Sequence, residues 1–412
     1  MPRSTRSAAL FPAALLLVAA PAVAQMNAGN SQPNPDKPFV VTPIVALDHP
    51  WALAFISDGR MLVTEKTGHI QLVDPKGGKV EVSGVPAVKY EGQGGLLFVA
   101  TAPTYARDHG VYITYSEPGE EGSGLALAHA TLTIGQGTAK LDKLKVIWRQ
   151  LPRGKGGQFG AYVAFAPDGK SLFLASGERM RFTPAQDPDQ AIGKILHLTL
   201  DGKPWPGNPM AGKQGSQTIN MIDPPKNSIT APDAPVHKVT LPGPNLTPAE
   251  TWSSGHRNPY GLAFDAAGHL WEVEHGPRGG DELNLILPGK NYGWPVVSYG
   301  RNYDGPEIAN PDTHPEFEKP KLYWNPVIAP GGLTFYYAGL FPQWKGSAFI
   351  GGLASKALVR VAFDGTNARE AERWDMGARI RFVTTGPDGA LWLLTDGERG
   401  GQGGLERLTP KS

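Results

Sequence analysis

The most regular feature of the chain is an apolar run that stops at a glycine turn and resumes. Trp51-Ala-Leu-Ala-Phe55 leads through Asp58-Gly59 to Arg60-Met-Leu-Val-Thr64. The phrase recurs as Val163-Ala-Phe165, Asp168-Gly169 and Ser171-Leu-Phe-Leu174, and as Gly261-Leu-Ala-Phe264, Gly268 and His269-Leu-Trp-Glu-Val273. Its last occurrence is Phe382-Val-Thr384, Asp388-Gly389 and Ala390-Leu-Trp-Leu-Leu394. Each predicts strand, tight turn, strand, because Asp-Gly supplies the positive φ a hairpin turn needs. Further strands are predicted at Gly110–Tyr115, Lys194–Leu198 and Ser347–Ile350. Repeated hairpins without helical stretches predict a β-propeller. The phrases lie roughly 100–120 residues apart, read as about two blades of about 40–60 residues each. The expected fold is therefore all-β, a six-bladed β-propeller.

Composition sharpens this. Among 412 residues, 52 Gly and 39 Pro disfavour long helices, and 10 Trp, 12 Tyr and 15 Phe can fill a core. The 39 Lys+Arg nearly cancel 38 Asp+Glu, which argues against nucleic acid as a partner. Residues 1–24 read as a secretory signal peptide: Arg3 and Arg6, an apolar run from Ala8 to Ala20, then Ala22-Val23-Ala24 before Gln25. The run is short for a membrane span, so the chain is expected to be periplasmic or secreted and not membrane-spanning after cleavage. Residues 25–37 are expected to form a flexible leader, and 38–410 a single propeller domain. There is no Cys, hence no disulfide, thiolate chemistry or covalently attached haem.

Candidate chemistry concentrates between Gly255 and Pro295, and the long Pro/Gly/Asn-rich segments 203–250 and 300–320 are expected to cross the top of the propeller. Carbonyls freed by Gly and Pro beside Asp281 and Glu282 suit a hard cation such as Ca²⁺; a surface acid pair is the plainer reading. His256 and His275 are either ligands or backbone-bonded. Arg257, Arg379 and Arg381 offer donor forks for carboxylates, or ordinary ion pairs. Alternation along a strand puts Arg379 and Arg381 on one face. No phosphate-loop, dinucleotide, nucleophile-elbow or zinc-protease motif is present.

Gly92-Gln-Gly-Gly-Leu-Leu97, Gly255-His-Arg-Asn-Pro259, Glu274-His-Gly-Pro-Arg-Gly-Gly-Asp-Glu282, Asn291-Tyr-Gly-Trp-Pro295 and Arg379-Ile-Arg381, in this order, resemble the glucose/sorbosone dehydrogenase family. Its soluble aldose sugar dehydrogenase branch is the nearest likeness. The resemblance runs from Leu47 to Asp396. It implies an exported six-bladed propeller that oxidises the C1 hydroxyl of a small sugar with pyrroloquinoline quinone (PQQ) and Ca²⁺, passing electrons to a periplasmic acceptor. Carried over by position, Gln93, Arg257, Asn258, Arg379 and Arg381 would bind PQQ. Gly276 and Pro277 would offer carbonyls to the Ca²⁺ beside it, and Glu282 and Tyr292 match a second, structural Ca²⁺ site.

The chain departs from the family where the chemistry is done. The general-base His of the family's His-Phe-Gly phrase is Gln158 here, and an amide takes no proton at neutral pH. Glu178 stands where relatives have the acid that orients that His. A family Arg is Tyr162, a Ser or Thr contact is Val327, and a PQQ-contacting Lys is Ala354, with Lys356 two residues on. Glu178, Tyr162 and His256 are the candidates for a substitute base. Two main readings stay open: a PQQ- and Ca²⁺-dependent aldose dehydrogenase, or a non-catalytic propeller of the same family that binds sugar or a partner. A Ca²⁺-dependent lactonase is a third.

Overall fold

The computed structural model describes residues 27–226, 228–397 and 401–411. Residues 1–24 lie outside these. The architecture is a ring of antiparallel sheets, with strands in sequence order in every blade but the last. Blade A holds Pro50–Phe55, Met61–Glu65, His69–Val73 and Lys79–Ser83; blade B holds Leu96–Thr101, Gly110–Gly119, Gly122–Gly135 and Thr138–Arg149. Their outer strands join through a short parallel pair, Val82 opposite Ala139 and Ser83 opposite Lys140. Blade C holds Gly160–Phe165, Ser171–Ser176, Lys194–Thr199 and Thr251–Ser254, and blade D holds Pro259–Phe264, Leu270–Glu274, Asp281–Ile286 and Leu322–Trp324. Blade E holds Pro330–Phe335, Ala348–Gly352, Ala357–Asp364 and Asn367–Asp375. Blade F takes Arg379–Thr385, Leu391–Asp396 and Gln402–Pro410 from the C-terminal part of the chain and its outer strand, Phe39–Asp48, from the N-terminal part. First strands of successive blades are neighbours, and that of blade F returns to that of blade A. Pairing Phe39 with Pro410 through Asp48 with Gln402 ties the first blade to the last.

The four sequence phrases are the inner hairpins of blades A, C, D and F. Two intervals span two blades, as expected. The interval from Val163 to Gly261 does not: it spans one, because segment 203–250 inserts a ribbon, Thr218–Ile222 with Val236–Thr240, into blade C. The leader expectation also changes. From Asn27 onward the chain is bound: Ala28 N–H donates to Tyr323 O at 2.9 Å, Asn34 N–H to Arg373 O at 2.7 Å, and Arg373 reaches back to Ala28 O and Ser31 O. Main-chain pairing with blades D and E, absent from any local pattern, holds this polar segment.

First strands also plug the central channel. Trp51, Phe98, Tyr162, Tyr260 and Phe382 are buried there, one each from blades A, B, C, D and F, with neighbouring centroids such as Trp51–Tyr162 at 5.1 Å and Phe98–Tyr162 at 4.8 Å. Blade E contributes Gly331, where a Cβ would press on the carbonyls of Ile380 and Arg381. Aromatic area of this kind dominates core energetics. The plug separates a cavity of about 350 Å³ on one face from the face where the candidate site lies.

Candidate active site

The site residues have a common origin in the fold. They come from the turn entering a blade's first strand or the turn leaving its second, which meet at one end of the ring. Gln93, Gln158 and Arg257-Asn258 precede first strands, and Arg379 and Arg381 lie at the start of one. Glu178, His275-Gly276-Pro277 and Ala354 follow second strands, and Asp396 ends one. Gln93 Oε1 accepts from Gln158 N–H at 2.7 Å, joining blades B and C.

Gln158 is the hub. The one amide orientation that satisfies both neighbours points its NH₂ at Glu178 Oε1 and its oxygen at Arg257, with Nη2 at 2.9 Å and Nη1 at 3.2 Å. Glu178 is buried, and its other oxygen accepts from Arg181 N–H at 2.5 Å and Phe182 N–H at 2.6 Å. Burial pushes its carboxyl above the usual range, against the pull of Arg257. Backbone strain collects here: Gln158, Ala161, Arg179, Met180 and Phe182 all have φ between 50° and 82°. A cavity of about 280 Å³ opens over Gln158, Glu178 and Arg257, roofed by Pro225 and Lys226 from the first long loop and Tyr303 and Asp304 from the second.

Arg257 stacks over Trp294 at 5.2 Å, and its Nη1 also donates to Gly276 O at 2.7 Å and His275 O at 3.1 Å. The carbonyl proposed for a cation is thus held by a guanidinium. Gly276 has no room for a side chain, since a Cβ would collide with the carbonyl of Gly280. Its N–H donates to Asp281 Oδ1, whose Oδ2 accepts from Ile328 and Ala329 N–H. Asp281 is therefore a loop clamp between blades D and E. Asn258 Oδ1 accepts from Gly160 N–H at 3.3 Å. His275 donates through Nε2 to Pro330 O at 2.7 Å and lies on Tyr260. Burial first, then Arg257, Arg381 and Arg379, press it down to about 3, so it is neutral.

Opposite, Arg381 bonds Asp396 Oδ2 through Nη2 at 2.5 Å, and Arg379 Nη2 lies 3.7 Å from the same oxygen. Both guanidiniums converge, as strand alternation requires. Asp396 meets both guanidiniums. Arg379 Nη1 also reaches Leu353 O at 3.3 Å, beside the exposed Ala354. Val327 is half-buried and Lys356 exposed in the adjoining turns.

Behind Arg257 lies a second centre. Asn284 Nδ2 donates to Glu272, Glu274 and Glu282 at 3.1, 3.2 and 3.3 Å. All are buried, and Glu272 Oε1 and Asn284 Oδ1 have no partner. Burial and mutual repulsion push Glu272 and Glu282 well above the carboxylate range. Glu274 Oε2 accepts from the N–H of Arg257 at 2.6 Å and of Asn258 at 3.3 Å, fixing the turn that carries both. Ligand atoms of His256, Glu272 and Glu274 all lie within 4.8 Å of one another. His256 is fully buried, bonded to Ser253 and Glu274 and stacked on Tyr292 at 4.8 Å. The Tyr292 hydroxyl donates to Leu285 O and accepts from Leu287 N–H, so it is already committed to the main chain. A small space touches Glu274, Glu282, Tyr292 and Gly276.

Of the three substitute bases, only Glu178 faces the cavity with Gln158. Tyr162 belongs to the channel plug and His256 to the acid cluster. Glu272, Glu274, Asp396 and Lys66 were missed in the sequence. The signal that would find the last three is position, at or just after the end of a second strand.

The chain matches the Glucose / Sorbosone dehydrogenase family over residues 47–220 and 232–405. It is 38% identical over 378 residues to the aldose sugar dehydrogenase YliI of Escherichia coli (strain K12), covering 89% of this chain and 91% of the relative. The crystal structure of the soluble aldose sugar dehydrogenase from Escherichia coli in the apo-form superposes with a TM-score of 0.77 at 36% identity, over 90% of this chain and 100% of that one. The PQQ-bound aldose sugar dehydrogenase from Streptomyces coelicolor superposes with a TM-score of 0.66 at 28% identity, over 92% and 100%.

Proposed function

Because the chain belongs to the glucose/sorbosone dehydrogenase family, we propose that it is a PQQ- and Ca²⁺-dependent aldose dehydrogenase on a six-bladed propeller, working in the periplasm or outside the cell. The observation that carries this reading is the gathering of three guanidiniums, from blades D and F, at one end of the ring. Arg379 and Arg381 both reach Asp396, and among the described residues the buried Arg257 Nε has no partner. Such a face suits a ligand with several carboxylates. Arg257, Asn258, Arg379, Arg381 and Gln93 would hold PQQ, and Gly276 and Pro277 the Ca²⁺ beside it. When bound, PQQ supplies a two-electron sink and Ca²⁺ polarises its carbonyl.

The chain's own residues do the rest. Gln158 donates to Glu178 and accepts from Arg257, so it orients both. Glu178 Oε1 takes the C1 hydroxyl proton of the sugar; burial raises its proton affinity, the direction a base needs. Glu282 and the carbonyl of Tyr292 would bind a second Ca²⁺, and the partnerless Glu272 Oε1 gives three buried carboxylates reason to need one. Among the described residues no helix is long and apolar enough to cross a membrane.

The test is calorimetric titration of PQQ into Ca²⁺-loaded protein, followed by aldoses with a redox dye. Saturable binding with dye reduction is expected. Binding without reduction by any aldose would favour the non-catalytic reading, and no binding at tens of micromolar PQQ would end the proposal.

A further inference from the structure

A cleft of about 440 Å³ opens between blades B and C, and none of its lining residues lines the cavity over Gln158. The fold explains why it is there. The outer strand of blade B, Thr138–Arg149, meets blade A only at Ala139 and Lys140. Among the described residues its far end, Val146 to Arg149, pairs only inward, with Gly122–Gly135. The end of segment 203–250 supplies the opposite wall, Leu241 to Thr247. Hydrogen bonds fix that wall: Leu241 N–H donates to Gln217 O at 2.8 Å, and Asn245 Nδ2 to Asp189 O at 2.8 Å and Ser216 O at 2.9 Å. Most of the lining is apolar, with Val146, Ile147 and Leu151 on one side and Leu241, Pro244 and Leu246 on the other. A preformed, mostly apolar cleft of this size fits a small organic molecule.

One acid is set into this lining. Glu250 is 8% exposed and immediately precedes the outer strand of blade C, Thr251–Ser254. Its Oε2 accepts from Trp148 Nε1 at 3.0 Å, and among the described residues no other group donates to its side chain. No cation neutralises it there either. Arg149 also lines the cleft, but its guanidinium is committed to Glu117, with Nε at 2.8 Å and Nη2 at 3.0 Å. Burial accordingly raises the Glu250 carboxyl to about 7, with the indole bond alone pulling the other way. A carboxylate with an unfilled oxygen beside an indole is the pair that recognises an ammonium group, the first by charge and the second by its π-system. We propose that this cleft is a binding site for a small organic ammonium ligand, an apolar body with one primary amine, whose charge is taken by Glu250 and whose body is buried by the apolar walls. The site is independent of the sugar reaction and needs neither PQQ nor Ca²⁺.

The experiment labels the protein with 5-fluorotryptophan and follows the fluorine NMR resonance of Trp148, assigned by its absence in Trp148→Phe, as phenethylammonium is added. A saturable shift is expected. The uncharged counterpart 2-phenylethanol should bind wild type about tenfold or more weakly than the ammonium does, the worth of one charged hydrogen bond. Glu250→Gln, which keeps an acceptor for Trp148, should weaken phenethylammonium by a similar factor, about tenfold or more. Leu246→Trp, which fills the cleft and leaves Glu250 in place, should abolish the shift. Thermal unfolding checks that each variant is folded. Equal affinity for the alcohol and the ammonium, or unchanged ammonium affinity in folded Glu250→Gln, would overturn the assignment of an ammonium site. No shift up to about 10 mM phenethylammonium, a concentration at which even a weak fragment binds, would overturn it as well.

Discussion

Two regions of the molecule bury charge and treat it in opposite ways. Arg179 is fully buried with no carboxylate bonded to it among the described residues, yet every donor is used. Its Nε reaches Gly156 O and Gly157 O, Nη1 reaches Ser123 O and Gln150 Oε1, and Nη2 reaches Gly154 O and Gly156 O, all between 2.7 and 3.2 Å. Its guanidinium also lies 4.0 Å over Phe159. Lys194 is caged likewise by the carbonyls of Pro184, Ala185 and Ile192. In blade D, three carboxylates share one amide and leave Glu272 Oε1 unpaired. The first arrangement completes itself and shapes the Gly154–Gln158 turn. The second is complete only with a cation or with protons. Buried charge therefore points to a ligand where its hydrogen bonds are unfilled, and to architecture where they are filled.

The largest effect expected from this contrast is at Arg179. Arg179→Met strands several carbonyls and should destabilise the fold by about 3 kcal/mol, read by denaturant unfolding, with equal loss with and without Ca²⁺. Next is the acid cluster. A chelator should lower wild-type stability by about 3 kcal/mol relative to excess Ca²⁺. Glu282→Gln should remove most of that sensitivity. Equal melting with and without chelator would mean that the three carboxylates are balanced by protons.

A third buried acid gives a smaller, pH-dependent version. Glu250 accepts from Trp148 Nε1 at 3.0 Å, and burial raises it to about 7. A raised folded-state value means that its contribution is full below the unfolded value of about 4.5 and is lost as pH rises through about 7. Wild type should thus lose about 1–3 kcal/mol more stability between pH 5 and 8 than Glu250→Gln, which keeps the Trp148 bond. Parallel curves would contradict this. The smallest change is at the hub: Gln158→His should raise turnover, by about tenfold or more if the imidazole takes over the proton.

Much of the fold was legible in the alternating runs of blades A, C, D and F, whose Asp-Gly or Gly turns mark inner hairpins. In blades B and E only the second strands, predicted at Gly110–Tyr115 and Ser347–Ile350, were legible, since the one-turn helix Tyr105–Asp108 and the segment Pro342–Trp344 replace that turn. The site was legible where residues cluster in sequence, as around Arg257 and Arg379. Glu272 and Glu274 were hidden by their own pattern. They alternate with Trp271 and Val273, so strand periodicity reads them as solvent-facing; both are buried. Lys66 and Asp396 are marked only by their position at or just after the end of a second strand. The inner hairpin of blade F sets Asp396 opposite Arg379.

The most direct test of the account is the rate of PQQ reduction when an aldose is mixed with the PQQ- and Ca²⁺-loaded protein, in wild type and Glu178→Gln. The account predicts reduction in wild type and a rate lower by about 10²–10⁴ in the variant, with PQQ affinity nearly unchanged. Equal rates, or no reduction in wild type, would contradict it.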